Sequence, residues 1–159
     1  MTMNVAAKTR QFLLFHQGES LFTVEVETVR EVLNIQDYPI SPVPNSPEFL
    51  LGLTNLRGEI LAVADFGRFI AVQPVNLDTG NSRILVIEAP DPQDVRLPLM
   101  RMGLAVSQVT GVVLLNPDHI VSAVDASEEL MPFLKGLYYH QGQLLMMIDT
   151  EAIAHSERW

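Results

Sequence analysis

Cysteine is absent from the 159 residues. Disulfides, thiolate nucleophiles and cysteine-ligated metals are therefore excluded, which suits a reducing compartment. Basic side chains are few: 10 Lys and Arg stand against 19 Asp and Glu, a formal charge of −9. Nucleic-acid binding needs clustered cations to neutralise phosphates, and anionic lipid surfaces repel such a chain. Aromatics make up 7%, too few for the base-stacking platform of a single-strand binder. Long apolar runs are also missing. Ile60–Ala64 and Leu144–Ile148 fall far short of the ~20 residues a membrane helix needs. Met1–Arg10 has no apolar core of signal-peptide type, so the expectation is a cytoplasmic protein with no membrane insertion.

Chemistry-bearing motifs are equally scarce. There is no Gly-rich phosphate loop, no G-x-S-x-G and no G-x-G-x-x-G. His16, His119, His140 and His155 form no H-x-H or H-x-x-x-H pair of metal-site type. Glu128 and Glu129 are adjacent carboxylates, as expected of a solvated loop. No catalytic, cofactor or metal residues are nominated, and the chain is expected to be no enzyme.

What is present is a succession of short strands. Apolar residues make up 48%, enough for a core. Gln11–His16, a turn containing Gly18, and Leu21–Glu25 form one expected hairpin. Leu137–His140, a turn containing Gly142, and Leu144–Ile148 form another. Ile84–Ile87 is a continuous apolar run, as expected of a strand covered on both faces. Met100–Val106 alternates large apolar residues with smaller or polar ones at period two, and Val112–Leu115 is another short run. Val26, Val29 and Leu33 recur at helical spacing, which predicts a helix over Val26–Leu33. Prolines 39, 42, 44 and 47 mark a stiff connection, 71–81 a polar loop between halves, and Pro90–Arg96 an exposed hairpin tip. Strands of this length and frequency suit small barrels or a sandwich.

One parallel stands out. Ile60–Ala64 runs into Asp65 and Leu144–Ile148 runs into Asp149, each followed by a short helical stretch. Both Asp residues suit helix caps. The pattern is compatible with two lobes of similar plan or with coincidence.

Three segments carry more. Val29-Arg30-Glu31-Val32-Leu33 places Val29 and Leu33 inward on the expected helix. Pro42-Val43-Pro44-Asn45-Ser46-Pro47 is rigid. In Gly52-Leu53-Thr54-Asn55-Leu56-Arg57-Gly58-Glu59-Ile60, a turn around Asn55–Gly58 joins two strands. Gly58 tolerates positive φ and Asn55 can satisfy turn N–H groups. Arg57 sits among apolar residues and needs a partner; Glu31 is a candidate by charge.

Taken together, these segments resemble the CheW-like coupling domain of bacterial chemosensory systems. Val29-Arg30-Glu31-Val32, Pro42–Pro47, Gly52–Ile60 and Val63–Phe66 match its V-x-E-V, P-V-P-N-S-P, G-x-x-N-L-R-G-x-I and V-D-L patterns. Gly103–Val109, Leu134–Gly136 and Leu144–Asp149 resemble its later half. Ser107 stands where the family often has Asp, and 89–102 is longer than usual.

The resemblance implies a mainly β fold: two five-stranded SH3-like β-barrels around a shared core, with short helices. It places a flexible N-terminus at 1–10, one domain of two lobes at 11–154 with a linker near 71–81, and a C-terminal tail at 155–159 with no fused receiver domain. It implies a non-catalytic adaptor without cofactor that couples the cytoplasmic tip of a methyl-accepting chemoreceptor to the regulatory domain of a histidine kinase. Such an adaptor is monomeric alone and assembled in receptor arrays. Val29, Glu31, Val32 and Leu33 would wall the receptor groove. Gly52, Asn55, Leu56, Arg57 and Gly58 would form the coupling turn and kinase-side surface, and Glu31–Arg57 a structural salt bridge. A pilus-motility or other non-flagellar chemosensory pathway would use the same residues. A small-ligand barrel is the competing class.

Overall fold

The structure, a computed structural model, describes residues 8–70, 72, 74–75, 79–90, 93–94, 96–124, 126–156 and 158–159. Most of the expected flexible N-terminus (residues 1–7) lies outside them, and the first strand already begins at Arg10. Parts of the 71–81 loop and of the Pro90–Arg96 tip also lie outside.

Ten strands are arranged as two five-stranded sheets. They are β1 (Arg10–Gln17), β2 (Ser20–Glu25), β3 (Val29–Asn34), β4 (Leu50–Leu56), β5 (Glu59–Asp65), β6 (Arg83–Ala89), β7 (Met100–Val106), β8 (Gln108–Leu115), β9 (Leu134–His140) and β10 (Gln143–Ile148). Short helices α1 (Phe66–Phe69) and α2 (Thr150–Ala154) follow β5 and β10. One sheet has the order β8-β1-β2-β10-β9, here the β1 barrel; the other has the order β3-β6-β7-β5-β4, the β3 barrel.

The two orders are the same plan. In each, an antiparallel hairpin (β1–β2 or β6–β7) is flanked by a parallel strand (β10 on β2, β5 on β7). The strand that follows the hairpin crosses to the other barrel: β3 pairs with β6, and β8 with β1. Both crossings are short, Val26–Thr28 after β2 and Ser107 after β7. This corrects the expected linker. The 71–81 loop does not divide the lobes; it joins α1 to β6 within the β3 barrel, and each half of the chain supplies strands to both barrels.

Three apolar clusters follow. Phe12, Leu21, Leu115, Tyr138, Leu145 and Met147 fill the β1 barrel. Leu33, Leu56, Leu61, Val63, Ile84 and Val86 fill the β3 barrel. Phe15, Phe22, Phe66, Phe69, Leu85, Ile87, Leu104 and Ile153 lie between them as a shared core. Central strands are thus covered on both faces, which explains the unbroken run of β6. In β7, despite its period-two alternation, Met102 through Val106 are all buried. Small residues make this possible, since a Cβ on Gly103 would lie 2.8 Å from Ile84 Cγ2. Asp65 caps α1 by accepting from Arg68 N at 3.1 Å, and Asp149 caps α2 by accepting from Ala152 N at 3.1 Å.

Candidate functional site: the mouth of the β3 barrel

The helix expected over Val26–Leu33 is not there. Val26–Thr28 form a single 3-10 turn, and Val29–Asn34 are strand β3. Val26, Val29 and Leu33 satisfy a helical spacing by coincidence; β-branched residues such as Val29 and Val32 favour the pleated surface once a partner strand is available, and β6 supplies it. The register shifts between Val29 and Glu31, a bulge at Arg30. Val29, Glu31 and Leu33 are the more covered positions, while Arg30 and Val32 are exposed.

Strand β4 enters the site through Gly52, whose φ is +145°. A Cβ there would lie 2.2 Å from the Ser41 carbonyl oxygen. Only glycine permits the approach that Ser41 and Leu53 make as paired bridge residues. The β4–β5 turn has Arg57 and Gly58 at φ 49° and 89°, the positive pair that a two-residue hairpin of matching twist requires. Asn55 Oδ1 accepts from Gly58 N at 2.8 Å and fixes the turn.

That turn holds Arg57 against β3. Arg57 Nη2 donates to Glu31 Oε2. Because β3 and β4 are the outer strands of their sheet, this pair joins its two edges and closes the barrel. A second set of charges crosses the middle of the sheet. Arg101 on β7 donates to Glu88 on β6 and to Glu59 on β5, both at 2.7 Å. Arg30 lies 3.5 Å from the same Glu88 oxygen. The bonded Glu88 carboxylate, with Glu59, raises the Arg101 guanidinium above its ordinary value. Arg30, Arg57, Arg101, Glu31 and Glu59 thus line the mouth together with Leu56 and Val86 of the barrel interior, and Glu88 ties Arg30 to Arg101.

The sequence-nominated residues divide by depth. Glu31, Val32, Asn55, Arg57 and Gly58 reach the surface. Leu33 and Leu56 are each 6% exposed and belong to the barrel interior. Gly52 is buried beneath Ser41. Val29 is half-buried against the shared core. The sequence reading missed Ile60, which pairs with Asn55 across the hairpin and is 69% exposed; together with Pro39, Ser41, Leu53 and Thr54 they line a shallow groove. It also missed Arg30, Glu59, Glu88 and Arg101, which are far apart in sequence and meet only through sheet register. The cavity at the mouth is about 130 Å³, below the ~300–1,000 Å³ of small-molecule sites. Among the described residues no cluster of His, Asp or Glu could hold a metal ion, and no helix is long and apolar enough to cross a membrane.

The architecture has known counterparts. The scaffolding protein TtCheW from Thermoanaerobacter tengcongensis has a similar crystal structure, with a TM-score of 0.78 at 22% identity over 94% of this chain and 95% of that one. The chemotaxis protein CheW of Klebsiella aerogenes is 28% identical over 93% of this chain and 83% of its own length. That of Rhizobium meliloti (strain 1021) is 26% identical over 93% and 89%. The family pattern of the CheW-like domain matches residues 11–158, taking in both barrels, the swapped strands and the charged mouth, and the chain belongs to that chemotaxis adaptor family.

Proposed function

We propose that the protein is a non-catalytic cytoplasmic adaptor that binds a chemoreceptor tip and the regulatory domain of a histidine kinase, and so passes receptor state to the kinase. The observation that carries this reading is the pairing of a rigid frame with uncovered apolar side chains. Glu31–Arg57 joins β3 to the β4–β5 turn, and Val32 on β3 and Ile60 on β5 stand exposed. A fixed charged turn beside apolar anchors suits protein docking, where buried apolar contacts supply affinity and charges set register. The receptor helix would lie along the seam between the barrels, beside Val29 and Val32, with its apolar face inward. The kinase domain would meet Asn55, Arg57 and Gly58.

Calorimetric titration of the purified protein with a histidine-kinase regulatory domain from the same organism tests this. Saturable binding is expected. Arg57→Ala and Val32→Asp should each abolish or strongly weaken it while melting within a few degrees of the parent. Absence of binding to every such kinase of that organism, or loss of folding in both variants, overturns the reading.

A further inference from the structure

The chain does not trail off after α2 as a free tail. Trp159 sets its indole edge-on to Phe49, with ring centroids 5.6 Å apart, and tilted against Phe69 at 5.4 Å. Its Nε1–H donates to the Ile153 carbonyl of α2 at 2.7 Å. The Arg158 guanidinium carbon lies 5.6 Å from the ring centroids of both Phe69 and Phe133, and Nη1 donates to the Phe69 carbonyl in α1. The two residues therefore bridge α1 of the first half to α2 and the Met131–Phe133 turn of the second.

The hold is made by side chains, and it is shallow. Trp159 remains 37% exposed, yet beneath it Phe49, Phe69 and Phe133 are 8%, 0% and 7% exposed. These rings touch one another as well (Phe69 is 4.9 Å from Phe49 and 5.0 Å from Phe133). They belong to the same shared core that Val29 packs against. Lifting the two terminal side chains would uncover a contiguous aromatic patch between the barrels, which would need another apolar cover.

We propose that Arg158 and Trp159 form a strap, an occupant in cis of this aromatic seat, which is displaced when an apolar receptor-tip helix docks at the seam. The inference rests on the adaptor reading above and adds its regulation: the strap reduces the fraction of molecules competent for the receptor, and the apparent affinity falls by that fraction.

Trp159 is the sole tryptophan, so its emission reports the seat directly. The full chain is titrated with a tryptophan-free helical hairpin from a chemoreceptor tip of the same organism, and binding is followed in parallel by calorimetry. The expected result is a red shift of Trp159 emission and greater acrylamide quenching on saturation. Trp159→Ala and, separately, Arg158→Gln should tighten binding about two- to tenfold, with thermal melts confirming that each is folded. Binding with unchanged emission, or variants that bind equally or more weakly, overturns the strap and leaves the adaptor reading intact. No binding by the parent or by either folded variant overturns both.

Discussion

The two barrels share their backbone devices and differ in their charge. Across 84 positions the β4–β5 hairpin is repeated by β9–β10: Gly52 by Gly136, Asn55 by Tyr139, Arg57-Gly58 by Gln141-Gly142, Ile60 by Leu144 and Asp65 by Asp149. Both turns use a positive-φ pair, with Gln141 at 50° and Gly142 at 79°. Both glycines sit under a bridge, Ser41–Leu53 in one and Val121–Leu137 in the other. The charges are not repeated. Gln141 and Gln143 replace Arg57 and Glu59, and β8, which takes the place of β3, carries no charged residue. Where Arg57 and Glu31 tie the edges of the β3 barrel, the Tyr138 hydroxyl accepts from Asn116 N at 3.2 Å to help join those of the β1 barrel. The backbone of the hairpin is thus held in duplicate, while among the described residues the charges at its turn belong to the β3 barrel alone. A feature not needed twice for folding is a feature available for recognition.

The sharpest way to break this comparison is at the paired glycines. A Cβ on Gly52 would lie 2.2 Å from Ser41 O, and one on Gly136 2.4 Å from Val121 O. Both positions have positive φ and both obstructing atoms are backbone. Gly52→Ala and Gly136→Ala should each cost about 2–4 kcal/mol in urea denaturation. If only one does, the duplication is decorative in the other half. The capping acids come next, and here the halves should part. Asp65 is buried and accepts from Arg68 N and, with both oxygens, from Val75 N at 3.1 and 3.2 Å, pinning the segment after α1 to the β3 barrel. Asp149 is half-buried and accepts from Ala152 N. Asp65→Ala orphans a buried donor and should cost about 2–4 kcal/mol, whereas Asp149→Ala should cost about 1 kcal/mol, an ordinary cap.

Much of this is legible in the sequence because it is local. The hairpins announce themselves through Gly18, Gly58 and Gly142, and the caps through Asp65 and Asp149 directly after apolar runs. The repeat of strand, Asp and helix is visible; the repeat of Gly52 in Gly136 is visible only once the two glycines are known to face a carbonyl. The swap of β3 and β8 is not legible, since no residue pattern states which sheet an edge strand joins. The helix expected over Val26–Leu33 fails for the same reason: Val29 and Leu33, four apart, fit either period until β6 is known to lie alongside. The mouth is half legible. Arg57 calls for a counter-charge and Glu31 is near in kind, but Arg30, Glu59, Glu88 and Arg101 are assembled by the pairing of Glu88 with Arg101 and of β5 with β7.

The smallest effect on stability is expected where the proposal needs the largest effect on binding. Arg57→Gln gives the β3-barrel turn the residue that the β1-barrel turn already has at Gln141. Its backbone demand is unchanged, since Gln141 occupies the same positive-φ position. The lost contact is an ion pair whose Arg57 side chain is 66% exposed, and such pairs contribute about 0–1 kcal/mol and are weakened by salt. Urea midpoints of parent and variant should therefore differ slightly at low salt and converge at high salt. Kinase binding, measured on the same samples, should fall far more than stability does. A loss of stability above about 3 kcal/mol would instead mark Glu31–Arg57 as a buried structural pair. The charged mouth would then be part of the folding machinery, and the contrast between the barrels would say nothing about partners.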